Sequence, residues 1–164
     1  MKRRKEIIES LERGLERSVG FFNTLTPDQL AAKIYQDGAQ WSAQQVVAHF
    51  ITIERSMHWL FENILSGGKG SPENFDVDRY NRSQTRKLDN VSLEELLDQL
   101  TQVRRKTIDM VAAMSESDLD REGRHAFHGH GRLERFIRWA DEHALIHEDE
   151  IRSALKIKSG GEGK

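Results

Sequence analysis

The sequence predicts an all-α domain, a four-helix bundle with a long crossing connection between the second and third long helices. Three observations lead there. Apolar residues recur at three- and four-residue spacing along four stretches of roughly twenty residues, the period of helices that bury one stripe. Proline occurs only at positions 27 and 72, so nothing interrupts those stretches. A chain of 164 residues is the size of one domain and long enough to bury one continuous core without disulfides, and it contains no cysteine.

The first helix is predicted over residues 4–25, with Ile8, Leu11, Leu15, Val19, Phe22 and Leu25 as its stripe. Gly14 and Gly20 weaken its interior slightly. Thr26-Pro27-Asp28 closes it and opens a short helix over 28–35, which Gln36-Asp37-Gly38 breaks. Ser42 is the predicted N-cap of the second long helix, 43–65, whose seam is Val46, Phe50, Ile53, Met57, Leu60 and Ile64. His49 flanks that seam, whereas His58 falls off it and reads as a surface histidine. Residues 66–73, SGGKGSPE, form the clearest loop; they lack the GxxxxGK[ST] spacing of a phosphate cradle and no strand precedes them. A short irregular helix is predicted over 76–87, with Tyr80 and Asn81 either capping and packing or turned toward a cleft.

Ser92 and Glu95 predict a capping box that opens the third long helix, running to Met114, with one further turn over 115–119. Residues 121–132, REGRHAFHGHGR, then read as a glycine-rich loop. Its histidines, His125, His128 and His130, are either solvated or part of a lid over a cleft. The fourth long helix is predicted over 133–155, with Leu133, Phe136, Ile137, Ala140, Ala144, Ile151 and Leu155 on its apolar face. The domain is expected to span 1–158, with a disordered tail over 159–164.

His143 and His147 lie on the apolar face of that last helix, one turn apart, where both rings can reach one metal ion. Unpaired polar groups on such a face are costly, so the rings are either metal ligands or core histidines satisfied by hydrogen bonds. His49 is a third inward candidate, and bundles of this kind build sites from side chains on facing helices. Nearby carboxylates Glu54, Asp141 and Glu142 point partly away, and Trp41 and His128 are candidates for cleft lining or simple packing.

Composition excludes several alternatives. The net charge is -2, from 25 basic and 27 acidic residues interspersed along the chain, which gives no electrostatic footprint for nucleic acid or an anionic membrane. Without cysteine, any metal must be held by nitrogen and oxygen. No stretch is apolar enough to span a bilayer or to act as a signal peptide, so the expected location is the cytoplasm.

Trp41-Ser42 followed by His49, in WSAQQVVAHF, together with His143 and His147 in EHALIHEDEI, resembles the DinB-like (YfiT-like) superfamily over nearly the whole chain. The resemblance implies a metal triad of His49, His143 and His147 holding zinc or nickel. It also implies an enzyme on small-molecule substrates, either a low-molecular-weight-thiol S-transferase using bacillithiol or mycothiol, or a metal-dependent hydrolase. Three imidazoles leave a coordination position open, the arrangement of a reactive metal site. Family members often carry glutamine in the turn after the last histidine; this chain has Glu150, onto which no role is carried. A homodimer is a further expectation. The alternative is a non-catalytic bundle that binds a small molecule or a protein partner.

Overall fold

A computed structural model describes residues 2–157; the tail expected over 159–164 lies outside them. The first helix, α1 (Lys2–Asn23), stops short of Leu25 because Thr26 caps the next helix: its hydroxyl accepts from Gln29 N, and the Gln29 side chain accepts from Thr26 N. Ile7, not Ile8, heads the buried stripe of α1. The second helix, α2 (Pro27–Ala31), is shorter than predicted. Residues 33–35 instead run antiparallel beside Trp41 and Ser42, through a Lys33–Ser42 bridge and a bond from Ile34 N to Trp41 O at 2.9 Å.

The remaining helices follow the predicted pattern closely. α3 (Ala43–Leu65) opens on a complete Ser42–Gln45 capping box, α4 (Val77–Arg86) on Asp76, and α5 (Leu93–Ala113) on Ser92. A 3-10 turn, Ser117–Asp120, follows α5, and α6 (Leu133–Leu155) ends at Lys156 in the left-handed conformation. Among the described residues no helix is long and apolar enough to cross a membrane.

Residues 121–132 are a β-hairpin and not the flexible loop their glycines predict. Strands β1 (Glu122–His125) and β2 (Gly129–Arg132) pair antiparallel, with Glu122 opposite Arg132 and His125 opposite Gly129. The outer edge of β1 is taken by the loop after α3: Arg124 N donates to Lys69 O at 2.9 Å and Ser71 N to Arg124 O at 2.8 Å. Gly70 sits at φ +88°, and a Cβ there would lie 2.4 Å from Arg124 O, so this crossing requires glycine. The ordering bonds come from some fifty residues upstream, outside the reach of local sequence.

The four long helices are arranged around the bundle as α1, α5, α3, α6, so α1 and α3 lie on one diagonal and α5 and α6 on the other. Apolar packing forms two clusters, one around Phe22, Val46, Phe50 and Leu100, the other around Leu11, Phe61, Val111 and Phe136. Between them lies a charged layer. Arg104 on α5 donates to Glu54 Oε1 on α3 at 2.6 Å, to Leu11 O on α1 at 3.1 Å and to Ala140 O on α6 at 3.2 Å. Thr107 joins it by donating to Glu54 Oε1 at 3.1 Å. His58 joins too, donating through Nε2 to Thr107 Oγ1 at 2.7 Å, and is 5% exposed. The surface position read for His58 is therefore corrected: α3 is enclosed by α4, α5 and α6, which widens its buried face beyond one stripe.

Candidate metal centre

His49 lies two turns into α3, and His143 and His147 stand on successive turns of α6, which packs against α3. The register of the two helices brings the rings together. His143 Nε2 is 3.1 Å from His49 Nε2 and 3.1 Å from His147 Nε2. One nitrogen from each ring lies within 4.8 Å of the other two. Imidazole nitrogens bound at about 2.1 Å to one tetrahedral zinc ion stand roughly 3.4 Å apart, so the spacing fits a shared divalent ion.

The protonation of the rings fits as well. Burial pushes His49 well below its ordinary value and His143 down to about 3, with the neighbouring imidazoles adding to both shifts. Burial lowers His147 too, against an opposing pull from Glu150. Neutral rings are the form that ligates metal. Tyr35 lies between His147 Nδ1 and Glu150, donating its hydroxyl proton to Glu150 Oε1 at 2.8 Å. With that proton committed, the phenol oxygen accepts from His147 Nδ1–H, which leaves the Nε2 lone pair of His147 facing the other two rings. Burial and the Glu150 carboxylate both raise the Tyr35 phenol, so it keeps its proton. His49 Nδ1 is buried without a partner.

The triad forms part of the wall of a cavity of about 860 Å³. Trp41 lies over His49 with ring centroids 4.3 Å apart, and Trp139 stands 5.3 Å from His143. Trp59, Phe75, Tyr80 and Phe127 complete an aromatic wall. Charged lining groups are confined to the exposed residues Asp37, Asp78 and Arg82.

A family profile described as the DinB superfamily matches residues 10–151. The chain belongs to the DinB superfamily. Two solved structures share its fold. YfiT from Bacillus subtilis, described as a probable metal-dependent hydrolase with an unusual four-helix bundle topology, aligns with a TM-score of 0.73 at 16% identity, over 93% of this chain and 86% of YfiT. An uncharacterized protein from Clostridium difficile 630 aligns with a TM-score of 0.71 at 14% identity, over 95% of this chain and 97% of its own. None of the curated proteins matches it in sequence.

In this DinB-superfamily chain the structure brings together His49, His143 and His147, the three residues singled out in the sequence. Trp41, Tyr80 and Asn81 line the cavity, and Asn81 Oδ1 is buried there without a partner. His128 stacks edge-on against Trp139 instead of lining the cavity, and His130 is exposed beside Glu122. His125, read as solvated or part of a lid, is buried on the hairpin, 7% exposed. Asp141 and Glu54 are engaged elsewhere, with Arg17 and Arg104. Sequence reasoning missed Tyr35 and gave Glu150 no role. Glu150 follows His147 by three residues, one helical turn, which is a usable signal; Tyr35 is 112 residues away from its histidine and carries none.

Proposed function

We propose that this protein is a metal-dependent hydrolase of small, largely apolar molecules, with His49, His143 and His147 as the ligands of a divalent ion. One observation carries the reading: three neutral imidazoles converge through Nε2 at the wall of an aromatic cavity, and one is held in its ligating tautomer by Tyr35. The description of YfiT as a probable metal-dependent hydrolase supports the same class. A divalent ion held by three imidazoles supplies Lewis acidity and an open position in which water or a thiol loses its proton near neutrality.

The chain's own residues set the conditions. Tyr35, anchored on Glu150, keeps the His147 proton on Nδ1 and fixes the ring's direction. Trp41 and Trp139 flank His49 and His143 and exclude bulk water from their faces. The aromatic wall binds the apolar body of the substrate.

The cavity volume favours a second reading, transfer of a low-molecular-weight thiol such as bacillithiol or mycothiol to an electrophile, because about 860 Å³ leaves room for two reactants. The first experiment is metal analysis of protein purified without a histidine tag. The expected result is about one zinc or nickel ion per chain, lost in His143→Ala. Metal-free protein whose stability is unchanged by alanine at each of the three positions overturns the reading. Assay of the loaded protein on nitrophenyl esters, and on bacillithiol with a haloaromatic acceptor, separates hydrolysis from transfer.

A further inference from the structure

His125 closes strand β1 with its ring in a defined orientation. Its Nδ1 accepts two backbone bonds from the hairpin turn, from Phe127 N at 3.0 Å and His128 N at 3.1 Å. A nitrogen that accepts two N–H groups cannot carry a proton, so the neutral ring is protonated at Nε2. The ring also packs on Phe136, 5.0 Å between centroids, and is 7% exposed. The same residue lines the cavity that holds the three-histidine cluster. Because Nδ1 is spent on the turn, Nε2–H is the polar group the ring has left for the cavity, and among the described residues nothing accepts from it.

The nitrogen is not among the fully buried unpartnered atoms, so it is open to water in the cavity; a ligand that displaces that water leaves the donor unpaired, at a cost, unless it brings an acceptor oxygen of its own. The surroundings limit which ligand. Away from the three-histidine cluster the inner wall is mainly aromatic and aliphatic, with the charged side chains at exposed positions, so a charged group held there would have no counterion. A flat, uncharged, apolar body is what such a wall favours.

We infer that His125 is a substrate-orienting residue, whose Nε2–H donates to the carbonyl oxygen of an uncharged, aromatic-bearing ester or amide held in the cavity. The choice of a carbonyl over other oxygen acceptors rests on the hydrolase reading, since a nucleophile generated at the triad needs an electrophilic carbon nearby. The hydrogen bond itself does not depend on a metal.

The test uses two probes of one shape on the chelator-treated full chain: acetophenone, which has the carbonyl, and α-methylstyrene, which has a CH2 group in its place. All three tryptophans of the chain line the cavity, so their indole N–H resonances report binding of either probe. His125→Asn keeps an acceptor where Nδ1 stood and removes the Nε2 donor, whereas His125→Gln keeps a donor near Nε2 and removes the turn acceptor. The preference for ketone over alkene is expected to fall about fivefold to tenfold in His125→Asn and to survive in His125→Gln. An unchanged preference in folded His125→Asn overturns the proposal. So does an equal loss in both variants, which would mark the ring as a hairpin support only, and so does failure of both probes to bind. A long-range nitrogen–proton spectrum that places the His125 proton on Nδ1 overturns it as well. Wild-type protein that binds no zinc while retaining the ketone preference instead overturns the metal reading and leaves the His125 contact standing.

Discussion

Tyr35 is the side chain on which the orientation of His147 depends, since its oxygen accepts from Nδ1 while its proton is fixed on Glu150. Tyr35→Phe is expected to weaken zinc binding by about 10- to 100-fold, the usual effect of losing a partner that orients a ligand. Competition against a chelating dye measures it, and the thermal midpoint of the metal-free protein should move little. Glu150→Gln keeps an oxygen acceptor for Tyr35 and is expected to cost less than Tyr35→Phe in the same assay. The imidazoles themselves were legible in the sequence because helical period fixes which way a side chain points, and His49, His143 and His147 each fall on or beside an apolar stripe. Tyr35 was not, because its position follows from the Lys33–Ser42 bridge, which local pattern does not encode.

The close approach of α1 to α6 rests on a missing side chain. A Cβ on Gly14 would sit 1.8 Å from Asp141 Oδ1, the oxygen that accepts from Arg17 at 2.9 Å. Gly14→Ala is therefore expected to destabilise by about 1–3 kcal/mol despite alanine's better helix propensity, because the Arg17–Asp141 pair must shift. Gly20 on the same helix has nothing within 4 Å of its Cβ position, and Gly20→Ala should stabilise by about 0.5–1 kcal/mol. Urea unfolding of the two variants reads the contrast. From sequence the two glycines were indistinguishable. The long helices were readable from caps and period, as Ser42 and Ser92 illustrate, whereas the hairpin was hidden because each strand is four residues long and borrows its order from Lys69 and Ser71.

The molecule as a whole buries imidazoles and charge that water would otherwise solvate. Burial holds His58 and His125 down to about 4, whereas in the unfolded chain both titrate near 6.5. Between those values the unfolded chain binds more protons, so this contribution is fully present above about pH 6.5 and is lost as the pH falls toward 4. Urea midpoints are expected to drop between pH 7.5 and pH 5, and His58→Gln should flatten that drop, by up to about 1.4 kcal/mol per pH unit. Arg104→Ala strands Glu54, whose carboxyl burial already pushes up, and is expected to cost about 3–5 kcal/mol. Sequence reasoning placed neither residue in the interior, because a single-stripe view of α3 and α5 leaves no room for a charge. Yet that one guanidinium, carried by α5, bonds to each of the other three long helices. Sliding any of them by a turn, about 5.4 Å, would pull a carbonyl or carboxylate away from it. Apolar stripes alone tolerate such slippage; a central pin does not, and it is this indexing that leaves position 49 on one helix level with positions 143 and 147 on another.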